Sequence, residues 1–167
     1  MEYWLADTPQ ELGVLYGDDE PCNGFVRQPN KIFAVYNNDV KCVGMHEDAH
    51  IISFSVKKPS SVFISEGLAM YFDKQWQGRE NEFICRDLLH LGNIPNVLSL
   101  IDNDKFFALN EEIAYPLSGS FTKFLVQKLT MKIYLKEIYY SDSAESYLNS
   151  LFDEGDVKEF LTWLELV

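Results

Sequence analysis

The first forty residues alternate short apolar runs with turn residues, whereas the rest of the chain carries apolar residues at helical spacing. The short runs predict strands at residues 2–6, 22–26 and 31–36. Thr8-Pro9 predicts the start of a helix that ends near Tyr16-Gly17, because threonine caps helices and proline fits their first position. Strands first and helices afterwards indicate an α+β fold, in which a small N-terminal mixed sheet with one helix precedes a mainly helical C-terminal part.

Beyond Asp39 every predicted element is a helix. The periodicity places these helices at residues 40–54, 61–75, 81–91, 95–102, 111–129, 131–140, 143–152 and 156–165. Asn37-Asn38-Asp39 would cap the first of them. Apolar residues lie on most sides of that first helix, and this pattern predicts that the helix is buried.

The helix at residues 40–54 contains His46-Glu47-Asp48-Ala49-His50, two histidines at four-residue spacing. Residues i and i+4 share one helix face, so both imidazoles can bind a single zinc ion. Glu47 lies beside the first histidine, where its carboxylate can polarise a metal-bound water without binding the metal itself. The alternative is an accidental motif on an ordinary helix. The apolar flanks favour the metal site, because burying unpaired polar side chains is costly.

The following helix offers a third ligand. Lys57-Lys58-Pro59-Ser60 combines a cationic pair suited to a helix end, a proline that cannot continue the helix and a serine that can cap the next one. A short connection predicts two antiparallel helices, with Glu66 at the level of His50. Gly67 would allow a close approach between helices. Two histidines and a glutamate leave a fourth position open for water, which is typical of a catalytic zinc site.

The run from His46 to His50, followed by Ser-Glu-Gly-Leu-Ala-Met-Tyr-Phe at residues 65–72, resembles the gluzincin metallopeptidases. The similarity is closest to the small bacterial "peptidase MA-like" group. Residues 115–125 also resemble the tyrosine and the Gly-Ser-Phe helix that those proteins place behind the site, and Asn23-Gly24-Phe25 precedes the metal helix in a similar way. The resemblance covers roughly residues 1–140.

The resemblance implies a zincin-like fold. Residues 1–167 would form one catalytic domain, with residues 1–55 as an N-terminal lobe that holds the sheet and the metal helix, and residues 56–167 as a helical C-terminal lobe. The strand at residues 32–36 would form the upper rim of the cleft, where an extended peptide pairs with its edge.

The resemblance also assigns roles to individual residues. His46, His50 and Glu66 would bind Zn²⁺, Glu47 would be the general base, and Tyr115 would help to stabilise the oxyanion. Some gluzincins carry an acidic residue four positions after the glutamate ligand, where this chain has Met70. Metal-binding histidines usually donate their other N–H to a carboxylate or carbonyl. The candidate carboxylates are those of Asp39, Asp48 and Asp73.

The composition restricts the class of partner. Twenty-six acidic residues against fourteen lysines and arginines give a formal net charge of −12, which argues against nucleic acid and against an anionic membrane surface. No apolar run is long enough to span a bilayer. Because no signal peptide opens the chain, we expect a cytoplasmic protein, with a trimmed secreted or envelope protein as the alternative. Three cysteines imply no disulfide framework, and Cys42 is expected to be a buried free thiol rather than a ligand.

These observations lead to the hypothesis of a zinc metallopeptidase that acts on a peptide or protein substrate. An endopeptidase is favoured over an aminopeptidase, because no Gly-rich exopeptidase-style motif precedes His46. The main alternative is a zincin-like domain that no longer cuts and serves as a binding or regulatory module. A third possibility is a helical scaffold with a coincidental motif. The sequence leaves the natural substrate and the oligomeric state open.

Overall fold

A three-stranded sheet with two helices forms the first part of the chain, and helices dominate the second part. The computed structural model describes residues 1–17, 19–152 and 157–167. The chain divides into two compact units, Met1–Lys57 and Lys58–Val167. The α+β order that the sequence predicts is confirmed.

The first unit holds a mixed sheet. Its elements are β1 (Glu2–Ala6), α1 (Pro9–Tyr16), β2 (Gly24–Arg27), β3 (Lys31–Val35) and α2 (Met45–Phe54). The strand order is β1-β3-β2, with β1 parallel and β2 antiparallel to β3. All three predicted strands are confirmed to within two residues at each end. One face of this sheet packs with α1 into a small core that contains Ala6, Leu12, Phe25, Phe33 and Val35.

The predicted boundaries of α1 are confirmed, because its capping is local in sequence. Thr8 Oγ1 accepts the backbone N–H of Glu11 at 3.1 Å, which satisfies a first-turn donor. Pro9 occupies the first position. Gly17 ends the helix in the left-handed conformation, at φ 114°.

The helix α2 begins at Met45, so the prediction of helix from residue 40 is wrong. Asn37 does not cap it. Its Oδ1 instead accepts the backbone N–H groups of Asp39 and Val40, at 2.8 and 2.7 Å, and this turn leads into a bridge between Tyr36 and Lys41. Asparagine favours such turns because its side chain competes with the helix for backbone donors.

The prediction that α2 is buried on most sides is also wrong. One side is covered, where Glu47, Ala49, His50, Ile51 and Ser53 are buried. On another side Met45 and Ile52 are each 61 % exposed. The helix therefore presents a buried face, which includes three polar residues, and an exposed face that carries two large apolar residues.

Outside residues 153–156, the second unit consists of helices, one short hairpin and two irregular helical turns. Its helices are α3 (Val62–Asp73), α4 (Asn81–His90), α5 (Asn103–Ala108), α6 (Glu111–Leu129), α7 (Met131–Tyr134), α8 (Ala144–Leu151) and α9 (Lys158–Leu166). A 3₁₀ turn spans Val97–Ile101, and a π turn spans Leu135–Tyr139. The hairpin consists of β4 (Gln75–Trp76) and β5 (Arg79–Glu80).

Four predicted helices of this unit, those at residues 61–75, 81–91, 111–129 and 143–152, are confirmed to within two residues. The helix predicted at 156–165 is observed as α9, and position 156 lies outside the described residues. The helix predicted at 95–102 is instead a 3₁₀ turn over Val97–Ile101. The helix predicted at 131–140 is confirmed as α-helix over Met131–Tyr134 and continues as a π turn over Leu135–Tyr139. The sequence prediction missed α5 and the hairpin at residues 75–80.

The start of α3 is capped from a distance. Ser60 was predicted to cap it, but the backbone N–H of Val62 donates to Asn103 Oδ1 at 2.8 Å. The side-chain amide of Asn103 in turn donates to the Ser60 carbonyl at 3.0 Å. The prediction is wrong because the cap comes from a residue far away in sequence.

The helices α3 and α6 approach each other closely through two glycines. A Cβ atom at Gly67 would collide with the Thr122 hydroxyl and lie 3.0 Å from the Ser118 carbonyl oxygen. A Cβ atom at Gly119 would lie 2.7 Å from Cβ of Met70. Glycine is needed where two backbones approach this closely. Gly67 thus allows a close approach between helices, but the observed partner is α6, and its role beside the helix of His46 and His50 stays a prediction. Across the described residues, no helix is both long and apolar enough to cross a membrane.

Candidate metal centre

The two histidines of the motif lie one turn apart on α2, as their spacing predicts. Their ring centroids are 4.9 Å apart, and the rings are nearly perpendicular at 80°. His50 is 7 % exposed and also packs against the ring of Phe54, at 5.0 Å between centroids. Helical geometry alone thus places both imidazoles on one face.

Glu47 is 8 % exposed, which is unusual for a carboxylate. The carboxylate lies over the backbone of β2, where a Cβ atom at Gly24 would collide with it. Gly24 therefore provides the space that Glu47 occupies. The sequence drew attention to Asn23-Gly24-Phe25 without giving the glycine a role, and the structure supplies one.

Two further polar contacts join α2 to β1 and to the turn that follows β2. The hydroxyl of Tyr3, on β1, donates to Asp48 Oδ1. The side-chain amide of Gln28 donates to the backbone carbonyl of Ile51 at 3.2 Å. Burial, then the hydrogen bond and charge of Asp48, and then the charge of Glu47 raise the pKa of Tyr3 above its usual value, so this hydroxyl stays protonated and able to donate.

Sequence reasoning missed Tyr3. Asp48 was named as one possible partner of a ligand histidine, and the structure pairs it with this tyrosine. The two residues are 45 positions apart in sequence. No local motif links them, so only the fold could reveal the contact.

Glu66 lies on α3 in the second unit and is half-buried. It stands between the buried Ser65 and Gly67, the glycine that meets α6. The side chain is thus carried by a helix whose position is set by backbone packing.

One ligand atom from each of His46, His50 and Glu66 lies within 4.8 Å of the others. Within the described part of the chain, no other group of three His, Cys, Asp or Glu side chains meets this condition. Two imidazole nitrogens and one carboxylate oxygen form a donor set that zinc commonly takes. These residues therefore fit a metal ion. The predicted antiparallel pairing of α2 and α3 stays a prediction.

Tyr115 lies in an aromatic cluster of the second unit. Its ring stacks on Trp76 at 5.0 Å between centroids and packs at an angle against Phe106 at 5.8 Å. The backbone carbonyl of Tyr115 accepts the hydroxyl of Ser118 at 2.7 Å. These contacts account for the position of the ring in the second unit, and the oxyanion role of the tyrosine stays a prediction.

Two other residues that resemble ligands stand outside the group. His90 Nε2 lies 2.9 Å from Glu165 Oε2 in an exposed pair at the end of α4, which agrees with its predicted structural role. Cys42 takes part in no disulfide among the described residues, and it is half-buried rather than buried as predicted.

The strand that was expected to capture a peptide has no free edge. β3 pairs with β1 on one side and with β2 on the other, over residues 31–35. A peptide cannot add to a strand whose backbone groups are already paired on both sides. The prediction of peptide pairing at residues 32–36 is therefore wrong, and β1 and β2 form the edges of this sheet.

No family model, no curated protein and no solved structure was found to match this chain. The assignment to a class of protein therefore depends on the site residues themselves.

Proposed function

We propose that this protein is a zinc-dependent metallopeptidase of the gluzincin type, similar to the peptidase MA-like group and with a zincin-like fold. His46, His50 and Glu66 would hold the metal, and Glu47 would be the general base. The observation that carries the proposal is the grouping of three ligand atoms within 4.8 Å. The buried Glu47 lies on the same helix as the two histidines of this group.

The metal, when bound, would act as a Lewis acid that makes a water molecule acidic near neutral pH. Glu47 would accept the proton of the attacking water and pass it to the leaving amine of the peptide. The burial of Glu47 against β2 supports this role, because a carboxylate with restricted mobility keeps one position relative to the reacting groups. Gly24 permits that position.

Tyr115 is the proposed donor to the oxyanion. Its half-buried ring is held between Trp76 and Phe106, which would limit the movement of the hydroxyl. A donor of this kind stabilises a developing negative charge only when it is already oriented.

Because β3 is paired on both sides, it favours the alternative function, a zincin-like domain that binds a partner without cutting it. Loss of the expected peptide-pairing edge removes one way to hold an extended substrate. The buried Glu47 favours the enzyme, since a domain without turnover has no need to keep a buried carboxylate beside its metal ligands.

Turnover of an unstructured protein substrate by wild type and by Glu47→Gln would test this proposal. The substitution removes the base and keeps the size of the side chain, so we expect turnover to fall by about 10²–10⁴-fold with the metal retained. Glu165→Gln, which changes an exposed glutamate in the same way, should leave turnover unchanged. Full activity of Glu47→Gln would contradict the proposed mechanism, and an inactive wild type with bound metal would favour the binding module.

A further inference from the structure

The helix α2 has little support of its own at its start. It has only ten residues, and its N-cap is Gly44, which offers no side-chain hydrogen bond. The first N–H groups of a helix have no partner within the helix, and short helices depend on tertiary contacts. The contacts at this end therefore decide where the helix lies on the sheet.

Tyr3 makes the contact at this end. Its hydroxyl donates to Asp48 in the first turn of α2. Tyr3 belongs to β1, which pairs with the central strand β3 along five residues. One hydroxyl thus connects the sheet to the first turn of the helix.

We propose that Tyr3 is a positioning residue of the metal centre, whose hydrogen bond to Asp48 fixes the rotation of α2 about its own axis. This inference rests on the proposed metal site. Asp48 is two residues from each histidine, so it points roughly 200° around the helix from His46. Holding Asp48 on the sheet therefore sets the direction of the histidine face.

The second polar anchor of α2 acts farther along the helix. Gln28 binds the Ile51 carbonyl, nearly one turn beyond Asp48. Loss of the tyrosine hydroxyl would remove the hydrogen bond that joins this first turn to β1, and the turn that carries His46 and Glu47 would be held less firmly on the sheet. Metal sites are sensitive to such changes, and loss of an outer hydrogen bond typically lowers metal affinity by about 10–100-fold.

Zinc affinity of the initially metal-free protein, measured by competition with a chromogenic chelator, would test this inference. We expect Tyr3→Phe and Asp48→Ala to bind zinc about 10–100-fold more weakly than wild type. Asp48→Asn keeps an acceptor oxygen and should retain most of the affinity. Tyr16→Phe, the same change at an exposed tyrosine of the same unit, should behave as wild type.

The visible absorption of bound cobalt(II) gives a readout that a general loss of stability would not mimic. The band positions report ligand directions, so Tyr3→Phe should shift them and Tyr16→Phe should not. A wild-type spectrum and wild-type zinc affinity in Tyr3→Phe would overturn the inference. An equal loss of affinity in Tyr16→Phe would also overturn it, because the effect would then be unspecific.

Amide hydrogen exchange separates this inference from the proposed metal site. If wild type binds no metal, the metal site has failed, yet Tyr3→Phe should still speed exchange at residues 45–54 while residues 31–35 keep their protection. Unchanged exchange in α2 would overturn the positioning role in that case. Asp48→Ala should give the same exchange pattern as Tyr3→Phe, and it decides the question if Tyr3→Phe does not fold.

Discussion

The helices α2 and α3 each carry ligands of the proposed metal site, but they are held in different ways. On α2, the side chains of Glu47 and Asp48 contact the sheet, and these contacts involve polar groups at the ends of side chains. On α3, Gly67 brings the backbone against α6. A side-chain end can move without disturbing the fold, whereas a packed backbone cannot. Changes around α2 should therefore alter the site first, and changes around α3 should alter stability first.

Of the variants that test this comparison, Gly24→Ala should have the largest effect, which is a loss of turnover. The new methyl group would meet the carboxylate of Glu47, which is the end of a side chain and is displaced more easily than a backbone. Since a displacement of about 1 Å can cost about 100-fold in rate, we expect turnover to fall by about 100-fold with the metal retained. Steady-state kinetics and metal content measure both quantities. Full turnover in Gly24→Ala would contradict the account, and adding Gly24→Ala to Glu47→Gln should change little further.

Gly67→Ala should show the opposite behaviour. Its methyl group would meet the Ser118 carbonyl and the Thr122 hydroxyl, so the two helices would have to separate. We expect the free energy of unfolding to fall by about 1–3 kcal/mol, as is usual for overpacking. Denaturant titration followed by circular dichroism measures this change. Gly24→Ala is the matched control and should cost clearly less, so an equal cost in both variants would remove the contrast.

Cys85, which is buried in the core of the second unit, gives an effect that is absent near neutral pH and appears only in alkaline solution. Burial raises the pKa of its thiol from 9.0 to about 12. Both folded and unfolded thiols are protonated below pH 9, so the contribution to stability is complete there. Above pH 9 only the unfolded thiol ionises, and the free energy of unfolding should fall by about 1.4 kcal/mol per pH unit until about pH 12.

Thiol labelling and a Cys85→Ala variant check this prediction. In the native protein at pH 8, a thiol reagent should leave Cys85 unlabelled. In Cys85→Ala, the free energy of unfolding should depend less steeply on pH above pH 9, by the amount that one ionising group contributes. Rapid labelling of Cys85 in the native state would show that the second unit opens more easily than its packing implies.

Features that depend on neighbouring residues were predictable from the sequence. Thr8, Pro9 and Gly17 define α1 because a helix is capped by residues beside it in the chain. The histidine spacing on α2 is also local, since i and i+4 always share a face. The Glu66 assignment required a motif, but its helix was predicted from its apolar residues alone.

Features that depend on distant residues were not predictable. The helix α2 begins later than predicted because Asn37 instead forms a turn, and the side-chain amide of Asn37 donates to the carbonyl of Asp7, 30 positions away, at 2.7 Å. The cap of α3 comes from Asn103, which is 41 positions from Val62. The Tyr3 anchor spans 45 positions. Local patterns hold no information on such contacts. The space that Gly24 leaves for the carboxylate of Glu47 is another contact between residues that are distant in sequence.

Zinc content tests the central claim most directly. Elemental mass spectrometry should be applied to untagged wild type, to His46→Ala and to His90→Ala after exposure to zinc. The account predicts about one zinc ion per chain in wild type and in His90→Ala, whose exposed histidine lies outside the group, and none in His46→Ala. No zinc in wild type, or equal zinc in His46→Ala, would contradict it.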